Sequence, residues 1–225
     1  MIFRKNCILC SIKHHDPHAV CHPCIQRLPQ LSMLCRSCAT PLPTTHPPYC
    51  FNCLRAPRPV SCVHVLYPFV APLQQLIHLF KYQQGLYLTS FLSLLILHAL
   101  PPHAKRPTLL VPVPLHRSRL HERGFNQSYL LARTLSRWLT IPMQSRCCEK
   151  IMATPAQATL STSQRRANLS LCFRTTPIAH QHIALIDDVY TSGATVEAIA
   201  SQFKKQGVST IEVWCIARTL KQWKF

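Results

Sequence analysis

Residues 183–200 read IALIDDVYTSGATVEAIA, which sets the carboxylates Asp187 and Asp188 side by side in a 225-residue chain with seven acidic residues and a formal charge of +18. The apolar run 182–186 predicts a short strand. From Thr195 onward, Val196, Ile199, Ala200 and Phe203 recur at i, i+3, i+4 and i+7, which predicts an amphipathic helix. Between strand and helix, Thr191, Ser192, Gly193, Ala194 and Thr195 make a tight, hydroxyl-rich turn. Successive backbone N–H groups there can face one anion at the positive end of the helix, so the turn suits a phosphate. The carboxylates ahead of it can accept hydrogen bonds from sugar hydroxyls, or help to hold a hydrated Mg²⁺ beside phosphate oxygens. A phosphorylated sugar satisfies both halves; the plainer alternative is an ordinary β-to-α turn with a capped helix. One of only four glycines in the chain is spent here, and glycine is needed where backbone turns sharply or approaches a ligand.

The flanking segments repeat the alternation. Leu73, Leu76, Ile77 and Phe80 share a helical face that delivers Lys81 and stops near Gly85, and residues 86–100 form a second, apolar helix closed by Pro101 and Pro102. Residues 108–139, TLLVPVPLHRSRLHERGFNQSYLLARTLSRWL, begin as a buried strand and pass through a basic loop carrying His116, Arg117, Arg119, His121 and Arg123. They then turn helical, with Gly124 at the turn, Asn126 as a candidate cap, and Phe125, Tyr129, Ala132, Leu135 and Leu139 along one stripe. Arginines at a strand end match phosphate oxygens in a bidentate fork. Residues 143–151 read as a strand, 152–168 (MATPAQATLSTSQRRAN) as a mobile hydroxyl-rich loop, and 169–173 as the returning strand. A helix ending near Gly207 and a β-rich run at 208–217 close the chain. Such alternation predicts an α/β fold, a parallel sheet flanked by helices on both faces, with its ligand site beyond the carboxyl ends of the strands.

The first quarter is different in kind. Cys7 and Cys10, Cys21 and Cys24, Cys35 and Cys38, and Cys50 and Cys53 form four CxxC pairs. Each pair points two thiolates at one cation, and two pairs complete a closed tetrahedral Cys₄ site, so eight cysteines imply two structural zinc ions. Pairing by proximity joins the first two pairs and the last two, with the Pro-rich ATPLPTTHPPY inside the second loop; crossed pairing is the alternative, as is a histidine among His14, His15, His18 and His22 replacing one thiolate. Tandem repetition without a thioredoxin-like setting argues against redox chemistry. Cys62, Cys147, Cys148, Cys172 and Cys215 lie outside the pairs and read as buried thiols. RAPRPV, residues 55–60, is the linker that follows.

Length allows one α/β domain plus a small module. No secretory signal opens the sequence, and the most apolar run, residues 91–100, is too short for a bilayer core of about 30 Å; the expectation is a soluble cytoplasmic protein without a transmembrane segment. A sequence pI of about 9.8 favours polyanionic partners such as nucleic acid.

Two apolar residues, Asp-Asp, two spacers and Thr-Ser-Gly-x-Thr resemble the phosphoribosyl pyrophosphate (PRPP) motif of type I phosphoribosyltransferases. The resemblance implies that Asp187 and Asp188 contact the ribose hydroxyls at the catalytic centre, and that Thr191, Ser192, Gly193, Ala194 and Thr195 hold the 5′-phosphate. Four CxxC pairs, VPVPLHRSRLHERGFNQ and LIDDVYTSGAT, in that order and covering nearly the whole chain, are similar to the ComF family. That likeness implies a double zinc ribbon over residues 1–58 and a phosphoribosyltransferase-like domain over 59–225. It places Lys81, Arg117, Arg123 and Gln127 on the pyrophosphate side, and Gln157, Arg165 or Arg166, and Asn168 on the mobile loop. Mg²⁺ is implied as the companion of PRPP, and single-stranded DNA, with other DNA-uptake machinery at the inner membrane, as partners in natural transformation. Lys150 departs from the arginine expected before the mobile loop, and Ser192 from the commoner second threonine. Two functions follow: a competence protein that binds single-stranded DNA while PRPP or a related ligand tunes its shape, and an active transferase in which an acceptor attacks C1′ of PRPP. Cysteine knuckles occupy the region that forms a base-recognising hood in many transferases, which favours the first.

Overall fold

The structure, a computed structural model, describes residues 5–43, 48–83, 85–152, 169 and 171–220. Strands β1 (Lys5–Asn6) and β2 (Lys13–His14) pair antiparallel in the first knuckle, and helices α1 (His22–Gln26) and α2 (Phe51–Arg55) start on Cys21 and Cys50 as their N-cap residues. The chain continues through β3 (Cys62–His64), β4 (Tyr67–Pro68), α3 (Leu73–Tyr82), a 3₁₀ turn (Leu86–Leu88), α4 (Thr89–His98), β5 (Leu109–Pro112), α5 (Arg117–Arg123) and α6 (Gln127–Leu139). It ends with β6 (Cys148–Lys150), β7 (Phe173–Thr175), β8 (His182–Tyr190), α7 (Ala194–Lys205) and β9 (Thr210–Arg218).

A five-stranded parallel sheet runs β3, β9, β8, β5, with β4 continuing the β3 edge along β9. β8 is central and its residues 183–186 are wholly buried, because the pleat sends alternate side chains to opposite faces and both faces are covered. Ala184 and Ile186, with Trp214 and Ile216 of β9, pack under α3, α4 and α6. Ile183 and Leu185, with Val213 and Cys215, pack under α7, whose Val196, Ile199, Ala200 and Phe203 all point inward, as the helical period predicts. Each fully buried side chain of Phe or Ile size contributes about 1.5–3 kcal/mol.

Three local expectations differ from what is observed. The basic loop after β5 is helix α5: His116 Nδ1 accepts from Ser118 N–H at its start, and Gly124 closes it in the left-handed region at φ 76°. Residues 143–151 do not make one strand; Met143 adds a single parallel bridge to Leu110, and only Cys148–Lys150 pairs with β7, antiparallel. The returning strand starts at Phe173, because Leu169 and Leu171 are helical. Of the five cysteines outside the CxxC motifs, four are buried and Cys62 is half-buried.

Candidate functional site

Both cysteine clusters assemble in sequence order, Cys7, Cys10, Cys21 and Cys24 in one and Cys35, Cys38, Cys50 and Cys53 in the other, with ligand sulfurs within 4.8 Å of one another. Sγ–Sγ separations of 3.8 Å for Cys10 and Cys21 and 3.7 Å for Cys38 and Cys50 match the edge of a tetrahedron with Zn–S bonds of about 2.3 Å. Backbone N–H groups of Cys21 and Cys50 donate to Cys7 Sγ and Cys35 Sγ at 3.4 and 3.2 Å, which stabilises thiolate. These are closed structural zinc sites with no histidine in the ligand set; His14 faces Asp16 and His18 faces Ser90 instead.

The ribbons dock on the sheet domain. Val20, Ile25 and Leu28 join the apolar cluster of α3, α4 and α6, while Ala39 joins the cluster under α7 and Arg36 C=O accepts from Val63 N–H of β3.

At the carboxyl end of the sheet, β5 stops opposite Ile186, so Asp187 is the first residue of β8 past that neighbour. Ser128 Oγ, in the first turn of α6, donates to Asp187 Oδ1 at 3.1 Å, and Lys81 Nζ, in the last turn of α3, lies 2.6 Å from Asp188 Oδ2. Asp187 Oδ1 and Asp188 Oδ1 also accept from the N–H of the residue that follows each. Burial, reinforced by the Asp188 charge, pushes the Asp187 carboxyl up to about 7. Gly193 adopts φ 80° and N-caps α7; a Cβ there would sit 2.2 Å from the Tyr190 hydroxyl. Thr191 and Ser192 are exposed, and the N–H groups of Thr191, Ser192 and Gly193 have no acceptor among the described residues. The turn therefore offers free donors at a helix start, beside a carboxylate pair.

The structure brings three of the four pyrophosphate-side candidates together. Arg123 donates to Gln127 Oε1 at 3.2 Å and to the Tyr82 hydroxyl at 2.7 Å, its guanidinium lies 4.8 Å from the Tyr82 ring centroid, and Gln127 Nε2 is 3.5 Å from the Lys81 carbonyl. The buried Arg123 Nε has no partner among the described residues. Arg117 stands apart: it lines a cavity of about 480 Å³ between α5 and the β6–β7 ribbon, with His116, Lys150 and Arg174. Burial, with Arg119 close by, lowers the pKa of Lys150 there. Gln157, Arg165, Arg166 and Asn168 lie outside the described residues. Sequence reasoning did not single out Ser128, Tyr82 or Arg174. Ser128 directly follows RGFNQ and Tyr82 follows Lys81, so adjacency to a marked residue was the available signal; Arg174 carries none.

The sheet, the acidic pair with its glycine turn, and the two Cys₄ sites define an α/β protein carrying a docked double zinc ribbon. A family model described as a double zinc ribbon domain matches residues 1–54. DNA utilization protein YhgH of Escherichia coli O157:H7 is 37% identical over 95% of this chain and 97% of its own. Competence protein F of Haemophilus influenzae is 31% identical over 96% of this chain and 98% of its own, and competence protein ComFC of Bacillus subtilis is 36% identical over 44% of this chain and 39% of its own. The chain belongs to the ComF family. Among the described residues no helix is long and apolar enough to cross a membrane.

Proposed function

We propose that this protein handles incoming DNA in the cytoplasm during natural transformation, binding single-stranded DNA on its basic surface and PRPP or a related phosphoribosyl ligand at Asp187 and Asp188. The observation that carries the ligand half is the Asp pair past the end of β5, followed at once by a left-handed glycine and unpaired N–H donors at the start of α7. The carboxylates suit ribose hydroxyls, the turn at 191–195 suits a 5′-phosphate, and Arg123 with Lys81 suits a pyrophosphate. Mg²⁺ enters with the ligand's phosphates and neutralises part of their charge. The DNA half is supported by the +18 charge and by relatives named for competence and DNA utilization. The division at residue 58 belongs to the same reading: the ribbons scaffold and the sheet domain binds.

A second reading has the placing of Asp187 in its favour. Set beside Asp188 at the sheet's carboxyl end and hydrogen-bonded to Ser128, with burial and the Asp188 charge pushing its carboxyl up to about 7, it is suited to take the proton of an acceptor N–H or O–H as that atom bonds to C1′ and the C1′–O bond to pyrophosphate breaks, pyrophosphate leaving with the bond pair.

The test incubates the whole protein with PRPP, Mg²⁺, nucleobases and single-stranded DNA, measuring released pyrophosphate and thermal protection against an Asp187→Ala, Asp188→Ala variant. Protection by PRPP in the intact protein alone, without release, supports the binding reading, and release dependent on one acceptor supports the transferase. Neither protection nor release removes the phosphoribosyl half. DNA affinity that is insensitive to salt removes the electrostatic half, since phosphate contacts release counterions.

A further inference from the structure

The second zinc site reaches the phosphate turn through side chains far apart in sequence. Thr40 Oγ1 lies 3.1 Å from Cys38 Sγ and accepts from Arg218 Nη2 at 3.1 Å. A zinc-bound thiolate carries no proton, so the Thr40 hydroxyl must donate to sulfur, which leaves its lone pairs for Arg218. Arg218, the last residue of β9, lies 5.0 Å from the centroid of the Tyr190 ring. Tyr190 is 2% exposed, its hydroxyl has no hydrogen-bond partner among the described residues, and it fills the space where Gly193 has no Cβ. On the other flank Arg58, just past the cluster's last cysteine, pairs with Glu197, whose N–H donates to the Gly193 carbonyl at 2.9 Å. Glu197 is 7% exposed, so water does not screen that pair strongly. Gly193 is thus held from two sides by a buried polar junction, and one end of the junction is a zinc ligand. Among the described residues the first zinc site shows no comparable path: His18, between its cysteine pairs, meets Ser90 of α4 and Trp138 of α6.

We propose that the second zinc site sets the conformation of the phosphate turn, with Thr40, Arg218, Tyr190, Arg58 and Glu197 as positioning residues between metal and loop. A consequence for ligand affinity rests on the phosphoribosyl reading above; the conformational coupling does not. Removing zinc from this site, or cutting the Thr40 link, frees Arg218 from its anchor and loosens the packing of Tyr190 beneath Gly193.

Thr40→Val keeps the side-chain volume and all eight zinc-ligand cysteines while deleting the hydroxyl. Amide hydrogen exchange of the full-length protein is measured together with zinc content, and inorganic phosphate and PRPP serve as binding probes. The expected result is two zinc ions retained, exchange at the hydrogen-bonded amides of Ala194 and Glu197, which close on Ser192 Oγ and the Gly193 carbonyl, faster by roughly tenfold, and exchange in α1 unchanged. Thr40→Ser, which restores the hydroxyl, should return exchange to the wild-type rate, and Arg58→Gln should accelerate it through the other flank even if Thr40→Val fails to fold. Wild-type exchange at Ala194 and Glu197 in both Thr40→Val and Arg58→Gln, with zinc retained, overturns the proposal. Faster exchange in a protein that binds neither phosphate nor PRPP even as wild type sustains the coupling and rejects the phosphoribosyl reading instead.

Discussion

Around the first cysteine cluster, Val20, Ile25 and Leu28 are buried together with Leu92, Leu95 and Leu135 of the main core. Around the second, the separate buried apolar group is small, Cys35, Cys38 and Cys53 with Leu42 and Tyr49 beside them; Ala39 alone is buried in the core under α7, and the longer-range polar contacts include Val63 N–H to the Arg36 carbonyl, Thr40 to Arg218 and Arg58 to Glu197. The two sites have the same four-cysteine ligand set, the same CxxC spacing within each pair and the same knuckle hydrogen bonds. They differ in what the knuckles touch, one adding apolar surface to the core and the other adding polar restraint to the turn at 191–195. Zinc chemistry alone therefore does not say what a zinc site is for; the neighbours of its ligands do.

The largest expected effect separates the two sites directly. Apparent binding free energies of structural zinc are about 10–16 kcal/mol in small modules, comparable with the whole stability of a domain, about 5–15 kcal/mol. Cys21→Ser with Cys24→Ser should abolish the cooperative calorimetric transition, whereas Cys50→Ser with Cys53→Ser should leave one zinc and a cooperative core. Equal collapse in both would erase the distinction.

Next in size is Lys81→Met, which leaves Asp188 buried without its cation. Breaking such a pair costs about 3–5 kcal/mol, and with side chains 19% and 12% exposed the lower end is expected in denaturant unfolding at neutral pH. The neighbouring carboxylate supplies a pH signature. Asp187 titrates near 7 when folded against an ordinary 3.8, so across that window the folded state holds the extra proton. Its contribution is most favourable below about 3.8, declines as pH rises toward 7, and is level above. Asp187→Asn should remove that part of the slope, as seen by comparing unfolding free energies of the two proteins from pH 4 to 8.

Gly193→Ala forces a side chain into a left-handed position against the Tyr190 hydroxyl, at a cost of about 1–3 kcal/mol. Tyr190→Phe in the same chain should recover part of the loss, a coupling that a double-mutant cycle reads directly. Asn126→Ala, at the start of α6, should give the smallest change. It removes the oxygen that accepts from the Ser128 and Tyr129 N–H groups there, worth about 1 kcal/mol, and should leave exchange at Ala194 and Glu197 unaltered. A change at those amides would show that the α6 cap and the turn at 191–195 are not separable.

Much of the scaffold is legible in local pattern. Periods at Leu73–Leu76–Ile77–Phe80 and Val196–Ile199–Ala200–Phe203 identify α3 and α7 because one helical face must be buried. CxxC spacing identifies both metal sites because two knuckles are what a tetrahedral cation needs. Local pattern failed where capping overrode polarity. A run as charged as RSRLHER reads as loop, yet His116 at one end and Gly124 at the other close it into α5. It failed again at residues 143–151, where the β-rich composition is shared between an isolated bridge and a short antiparallel pair.

The sequence by itself determined the eight zinc ligands, the acidic pair with its glycine turn, and the succession of α3, α4, β5, α6, β8, α7 and β9, since each depends on residues within a few positions of one another. Tertiary structure alone decided that the cysteine pairs combine in sequence order, that Lys81 meets Asp188 while Arg117 faces a separate cavity, and that Thr40 meets Arg218 across 178 residues. The last contact exists because the ribbons fold back onto opposite faces of one sheet, and the others because α3, α5 and β8 meet at its carboxyl end; each depends on the packing of the whole chain rather than on any short run within it.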